Sequence, residues 1–248
     1  MNLAIDIGNT ATKAGWFEHN HLVEIQSDTH PEAFIEQIRQ RYPERIIVSS
    51  VSSQAQALRD AVPEDIHYME LSSDTPLPFE NTYHTPHTLG TDRVAAVAGA
   101  HALYPAQNVL VIDAGTCITY ELLNNQHQYL GGLISPGLRM RWQAMHTFTA
   151  RLPLVSLESV TTGPERAIEE LPLVGKSTQE ALLSGGLIGL AAEINQMIRM
   201  YADKFAALQV VTCGGDMVHL QPWILSEYTH VPELVLIGLN SIVQYDGS

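Results

Sequence analysis

An apolar strand ending in aspartate and glycine occurs twice in this chain at half-chain spacing, and no other feature limits the fold as much. The first copy is Leu3-Ala4-Ile5-Asp6-Ile7-Gly8-Asn9-Thr10, followed by Thr12, Lys13, Ala14, Gly15, Trp16 and Phe17. The second is Val109-Leu110-Val111-Ile112-Asp113-Ala114-Gly115-Thr116, followed by Cys117, Ile118, Thr119 and Tyr120, and it begins its turn 107 positions later, counted from Asp6 to Asp113. Each copy reads as a strand, a tight polar turn and a second strand. A repeat at half the chain length argues for two similar halves, because solenoid repeats recur every ~20–50 residues. Helix-like stretches at 31–42, 92–103, 138–149 and 178–203 alternate with the apolar strands Ile46-Ile47-Val48 and Gln209-Val210-Val211-Thr212. Strands apolar on both faces, alternating with helices, predict an α/β architecture. Residues 72–91, rich in Ser, Thr, Pro and His, read as a long irregular loop, a kind that is usually functional or disordered inside a compact domain.

The 248 residues fit one large domain or two smaller ones. The repeat places the halves at 1–104 and 105–248. A formal net charge of -14 argues against a nucleic-acid partner, which needs a clustered Lys/Arg footprint. ATP remains compatible with an acidic chain when backbone N–H groups and metal ions supply the positive charge. Cys117 and Cys213 are too few for a disulfide scaffold. The start of the chain lacks a basic leader and carries Asp6 within its apolar run, so no signal peptide is expected. No window of about 20 residues is uninterruptedly apolar, so no membrane partner is expected either. The expectation is a soluble cytoplasmic protein.

Aspartate at a strand end followed by glycine and a hydroxyl residue suits phosphate and metal handling. Glycine lets the backbone approach a phosphate with no Cβ in the way. The turn's N–H groups meet phosphate oxygens while the carboxylate holds a cation or its waters. One such turn is more simply a hairpin, because hairpins use the same residues for backbone reasons. Two copies, joined by a third strand that runs into Cys213-Gly214-Gly215-Asp216, favour a nucleotide clamped between two halves. Other motifs carry less. Gly175-Lys176-Ser177 lacks the glycine a P-loop needs five positions earlier, where Glu170 stands. His84-x-x-His87 has no third ligand at suitable spacing and reads as a polar loop.

The set Asp6-Ile7-Gly8-Asn9-Thr10, Gly90-Thr91-Asp92-Arg93, Asp113-Ala114-Gly115-Thr116, Gly131-Gly132-Leu133-Ile134-Ser135-Pro136-Gly137 and Cys213-Gly214-Gly215-Asp216 resembles the type III pantothenate kinases. These belong to the wider group of acetate and sugar kinases, Hsc70 and actin. The resemblance spans nearly the whole chain in the same order. It implies two ribonuclease-H-like (actin-like ATPase) domains with a cleft between them, and ATP-dependent phosphorylation of pantothenate in the first step of coenzyme A synthesis. It further implies that Asp6, Ile7, Gly8, Asn9, Thr10, Ala11, Thr12 and Lys13 form a phosphate loop, with Asp6 indirectly at Mg²⁺ and Lys13 near ATP phosphates. Thr116 resembles the second phosphate-loop contact, and Asp113 the ligand of a monovalent cation, K⁺ or NH₄⁺. Gly214 and Gly215 resemble the adenosine-side loop. Tyr83, Gly90, Thr91, Asp92 and Arg93 resemble pantothenate contacts, and Thr178 a further one reached from the partner subunit of a homodimer. Cysteine at 213 departs from the threonine usual there; it keeps the loop but donates hydrogen bonds weakly.

Asp92 is the expected general base, because the primary alcohol of the substrate must lose its proton while attacking phosphorus. The structural alternative is that Asp92 caps a helix beginning near Arg93. Arg93 can pair with the substrate carboxylate through its planar fork, or form an ordinary surface salt bridge. A catalytically idle accessory protein on the same fold is the rival from another class. Such a protein would be expected to have lost one of Asp6, Asp92, Asp113 or Thr116, and all four are present. A sugar or acetate kinase is a second rival, opposed by Tyr83 and the Gly90–Arg93 run.

Overall fold

The computed structural model describes residues 1–8, 11–50, 55–157 and 171–246. Strands β1 (Asn2–Ile7), β2 (Thr12–Glu18), β3 (His21–Asp28), β4 (Arg45–Ser50) and β5 (His67–Glu70) form a sheet in the order β3-β2-β1-β4-β5. β1 pairs antiparallel with β2 and parallel with β4, while β4 and β5 are parallel. Helices α1 (Ile35–Arg41), α2 (Ala55–Ala61) and α3 (Thr91–Leu103) accompany these strands. The second sheet holds β6 (Glu80–Asn81), β7 (Val109–Ala114), β8 (Cys117–Leu123), β9 (Gln128–Pro136), β10 (Gln209–Cys213) and β11 (Thr229–His230) in the order β11-β10-β7-β8-β9-β6. Without β6, this is the first order repeated: β9-β8-β7-β10-β11 corresponds to β3-β2-β1-β4-β5. The two aspartate–glycine turns therefore follow equivalent central strands, as expected of two ribonuclease-H-like halves. Helices α4 (Leu138–Thr147), α5 (Thr178–Ala202), α6 (Met217–Leu220) and α7 (Leu234–Asp246) complete the described elements.

Two compact units result, residues 1–109 with 121–131 and 233–248, and residues 110–120 with 132–232. This division differs from the halves 1–104 and 105–248 at three places: residues 105–109, the outer end of the β8–β9 hairpin and helix α7 all pack with the first unit. Each unit has its own core. In the first, Leu3, Ile5, Trp16, Phe34, Ile38, Ile46 and Val48 pack together. In the second, the apolar face of α5 (Leu182, Leu187, Leu190, Ile194) meets Leu110, Ile112, Ile118 and Trp142. An 18-residue window of α5 has mean hydropathy 1.3, long and apolar enough to cross a membrane, yet half of it is buried within the fold. By this contact pattern it is a core helix.

Helix α7 explains how the first unit holds α3. Both helices use glycine where they cross: a Cβ on Gly238 would sit 1.8 Å from the Ala95 carbonyl oxygen, and one on Gly99 2.2 Å from that of Leu234. No side chain fits there. Asn240 lies buried beneath and links the helix to the sheet, accepting from Asn2 and donating to the His19 carbonyl, each at 3.0 Å.

Candidate active site

In the first unit, antiparallel pairing sets Asp6 opposite Lys13 across β1 and β2, and parallel pairing sets Asp6 beside Ser49 on β4. Directly opposed residues bring their Cβ atoms within about 5 Å, so an acid and a base share one end of the sheet. The turn between the strands closes with the Gly8 N–H donating to the Ala11 carbonyl at 3.2 Å. Ile7 and Thr12 are buried, so contact from these two with a phosphate would fall to the backbone, whereas Lys13 is exposed. Asn9 and Thr10 lie outside the described residues. Ser49, itself buried, continues the line through a 3.0 Å hydrogen bond between its Oγ and Thr91 Oγ1, at the start of α3.

Helix α3 begins two residues earlier than an Asp92 cap would require. Gly90 is its N-cap, and Asp92 stands in the first turn, where its Oδ1 accepts the Arg93 N–H at 2.9 Å. The capping alternative is corrected accordingly: one oxygen serves the helix end, and Oδ2 makes no hydrogen bond among the described residues. A carboxylate in the first turn is favoured by the helix dipole. Gly90 makes room for it, since a Cβ there would lie 2.4 Å from Asp92 Oδ1. Gly90→Ala should therefore leave stability within about 1 kcal/mol, because a side-chain end can move. Turnover should fall by about tenfold as the carboxylate is pushed aside. A melting curve beside a steady-state assay checks this; unchanged turnover would show that the carboxylate's exact place is immaterial.

Arg93 is not on the surface. It is 7% exposed and faces Glu121 of β8, which is 0% exposed. Nε donates to Glu121 Oε1 at 2.5 Å and Nη2 to Oε2 at 2.8 Å, with Nη2 also reaching Tyr129 Oη at 3.3 Å. The surface-salt-bridge reading is thus replaced by a buried bidentate pair, of a kind that costs about 3–5 kcal/mol to break from one side. Burial pulls the guanidinium pKa down, and Glu121 more than reverses that. Tyr129 donates to Glu121 Oε2 at 2.5 Å; burial, then Glu121, hold its hydroxyl protonated well above the usual range. Tyr83 stacks parallel on Tyr129, with ring centroids 6.2 Å apart, and the Arg93 guanidinium carbon lies 5.5 Å from the Tyr83 ring centre. Tyr83 is placed by an Asx turn, its N–H donating to Asn81 at 3.0 Å, and by Gly131, whose φ of 98° and missing Cβ leave space for the ring. Tyr83, Arg93 and Asp92, named from the sequence, fall into one neighbourhood; Glu121 and Tyr129 were not named. His87 Nδ1 bonds Ser73 Oγ at 2.9 Å on the exposed loop, as a polar loop would.

In the second unit, Asp113 and Gly214 meet at the ends of neighbouring strands. Gly214 has φ 88°, and a Cβ on it would lie 2.4 Å from both the Ala114 carbonyl oxygen and Asp113 Oδ1. The Asp216 N–H donates to the same Ala114 carbonyl at 2.9 Å and fixes the two turns together. Burial raises the Asp216 pKa, opposed by Arg139 and His219. Thr116 is exposed at the turn, and Gly137 supports it from behind: the Gly137 N–H donates to the Thr116 carbonyl at 3.2 Å, and a Cβ would come 2.4 Å from that oxygen. Arg141 then anchors the segment, donating to the Pro136 carbonyl at 2.8 Å and Ser135 Oγ at 2.9 Å. Cys213 is buried and Cys117 half-buried. Gly175-Lys176-Ser177 is the cap of α5: Ser177 Oγ accepts from the Glu180 N–H at 3.2 Å, and the Lys176 N–H donates to the Glu180 carboxylate at 2.7 Å. Thr178 is exposed at the first position of that helix. Glu170 lies outside the described residues.

The oxygen-rich turns suit hard cations. Among the described residues no group of three or more His, Cys, Asp or Glu could cage a metal. Mg²⁺ arriving with ATP needs only one or two carboxylates, because the phosphates complete its shell. Asp6 can provide one. Asp113 Oδ1 and the Ala114 carbonyl oxygen both lie beside Gly214, so hard oxygen donors of the kind an alkali ion takes stand together at this turn.

A family model described as type III pantothenate kinase matches residues 2–200. A type III pantothenate kinase of Christiangramia forsetii is 40% identical over 250 residues, covering 99% of each chain. One of Bacteroides fragilis is 39% identical, covering 99% of this chain and 98% of its own. Among solved structures, a Campylobacter jejuni protein described as a candidate Baf family transcriptional activator superposes with TM-score 0.61 at 21% identity, covering 99% of this chain and 98% of its own. The ROK hexokinase of Thermus thermophilus superposes with TM-score 0.51 at 13% identity, covering 97% of each chain. At these identities the two structures speak for the fold alone, that of the two-domain sugar kinases and actin-like ATPases.

Proposed function

The chain belongs to the type III pantothenate kinases, and from that premise we propose how its residues divide the work. It is a phosphotransferase that acts on an alcohol: ATP phosphorylates pantothenate to 4'-phosphopantothenate in coenzyme A biosynthesis. The observation that carries this is full-length identity of 40% to a kinase of that name.

Asp92 Oδ2 takes the proton of the primary alcohol, while Oδ1 stays with the Arg93 N–H. A base so held supplies about 10²–10⁴-fold, and positioning with charge neutralisation supplies most of the remainder. Tyr83, Gly90, Thr91 and Arg93 bind pantothenate. The Asp6–Lys13 turn and Thr116 bind ATP phosphates, Asp6 through Mg²⁺, and Gly214 and Gly215 bind the adenosine side. A K⁺ or NH₄⁺ ion at Asp113 would neutralise phosphate charge. The repeat boundary lies at 104/105. The chain acts in the cytoplasm without a membrane partner, and the acidic charge argues against a nucleic-acid one.

A homodimer, in which Thr178 reaches the substrate of a second copy, is supported by exposed apolar groups in the second unit. Phe148, Leu173 and Ile134 are 85%, 84% and 62% exposed. On α5, Ala181, Gly185, Gly189 and Ala192 form an exposed stripe, and apart from the helix's own backbone no described atom lies within 4 Å of a Cβ at Gly185 or Gly189. Gly185→Arg should improve helix propensity by about 1 kcal/mol and yet convert a dimer to a monomer in sedimentation. A dimer that survives the substitution would remove α5 from the interface.

The direct test is ATP-dependent phosphorylation of pantothenate with and without K⁺ or NH₄⁺, beside a panel of sugars and acetate. Turnover of pantothenate that requires the monovalent ion supports the assignment of Asp113. Turnover indifferent to it overturns that assignment. Turnover of a sugar instead would overturn the substrate.

A further inference from the structure

The buried carboxylate of Glu121 has no role in the assignments above, and its surroundings give it one. It stands on β8 with no exposure and accepts three hydrogen bonds, from Arg93 Nε, Arg93 Nη2 and Tyr129 Oη. Taking a carboxylate out of water is costly unless paired, and an apolar residue of similar size would fill a strand equally well. The pair also sits at the substrate-contact end of α3. Its effect on Arg93 is specific. A guanidinium has five N–H donors; Glu121 with Tyr129 occupies the Nε and Nη2 side and the Tyr83 side chain also meets the guanidinium, which leaves Nη1 as the nitrogen outside the fork. The same carboxylate cancels the guanidinium charge. Tyr129 then carries the arrangement to Tyr83, whose ring lies parallel to its own.

We propose that Glu121, with Tyr129, is a positioning residue that fixes Arg93 and Tyr83 so that the Nη1 edge meets the carboxylate of pantothenate as a directed donor. This rests on the reading that Arg93 binds that carboxylate. A guanidinium locked in a fork cannot turn to follow a ligand, so affinity depends on where the acid group of the substrate stands. Acceptance of the substrate is therefore set by hydrogen-bond direction, because the local charge is already neutralised. Glu121 touches no reacting atom, and its loss should be felt in binding of one substrate and not in the phosphoryl-transfer step.

The experiment measures kcat and the KM of each substrate for wild type, Glu121→Gln, Tyr129→Phe, Arg93→Lys and the double variant Arg93→Lys/Glu121→Gln, with melting curves for all. Glu121→Gln should raise the KM for pantothenate by about tenfold or more, the scale of a charged hydrogen bond, with kcat and the KM for ATP within about threefold. Tyr129→Phe, which removes a single hydroxyl, should move the same constant in the same direction by a smaller factor, and it keeps the test alive if Glu121→Gln does not fold. The double variant should be no worse than Arg93→Lys, because residues acting through one another are not additive. If Arg93→Lys raises the KM for pantothenate while folded Glu121→Gln and Tyr129→Phe leave it unchanged, Glu121 is structural only and the reading of Arg93 stands. If Arg93→Lys leaves it unchanged, both fall. A uniform loss in kcat and both KM values would also overturn the proposal.

Discussion

Asp92→Asn is expected to lower kcat by at least about 100-fold, equivalent to about 2.7 kcal/mol of barrier, while the protein remains folded. The two halves of that expectation have separate grounds. Asparagine keeps an Oδ1 that can accept the Arg93 N–H, so the bond at 2.9 Å survives and the helix still begins at Gly90. What is lost on the stability side is a negative charge in the first turn, about 0.3–1 kcal/mol. On the chemical side an amide cannot accept a proton at neutral pH, so the alcohol must give its proton to water. KM for pantothenate should change little, because the amide can still accept a hydrogen bond from the hydroxyl. Circular dichroism and steady-state kinetics on one preparation decide it. If turnover persists within about threefold, Asp92 serves only the end of the helix.

Gly214→Ala is expected to have the largest effect on stability among the turn residues. Its φ of 88° lies in the left-handed region, which costs a residue with a Cβ about 1–2 kcal/mol. The methyl would also stand 2.4 Å from the Ala114 carbonyl carbon and oxygen and from Asp113 Oδ1. Two of those atoms are backbone of a central strand and cannot step aside, so overpacking adds about 1–3 kcal/mol. A combined loss of roughly 2–5 kcal/mol should lower the melting temperature by about 5–15 °C at this chain length. Gly215→Ala is the control. Its Cβ meets no described atom within 4 Å, so stability should change by less than about 0.5 kcal/mol. Equal melting points for Gly214→Ala and wild type would show that the two strand ends are less closely joined than this geometry requires. Since Asp113 is one of the atoms displaced, the monovalent-ion dependence of any remaining activity should weaken as well.

The repeat of strand, aspartate and glycine was legible because each copy is local: strand, turn and strand lie within about a dozen residues. Helices α3 and α5 were legible for the same reason, with Gly90 and Ser177 marking their starts within a residue or two of the expected place. Helix α7 was not named from the sequence. Leu-Val-Leu-Ile-Gly-Leu-Asn-Ser-Ile-Val is apolar nearly all round, and such a run cannot be told from a buried strand by its periodicity. The neighbourhood of Arg93 was half legible. Its motif marked the arginine, but its buried partner comes 28 positions later on another element. One signal did exist: Glu121 is a lone acid within the otherwise uncharged strand Cys117-Ile118-Thr119-Tyr120-Glu121-Leu122-Leu123. An acid in such a place must have a partner, though sequence alone does not say which.

The glycine crossing of α3 and α7 has a bearing on how the chain is made. Helix α3 ends at Leu103 and α7 begins at Leu234, so 130 residues intervene before the helix carrying Asp92 finds its packing partner. The seat for α3 is thus made only after the residues of the second unit. A nascent chain of that kind exposes the Ala95–Gly99 face of α3 until α7 is made. Closing α3 onto α7 is therefore a long-range contact, of the kind whose loop-closure entropy slows folding.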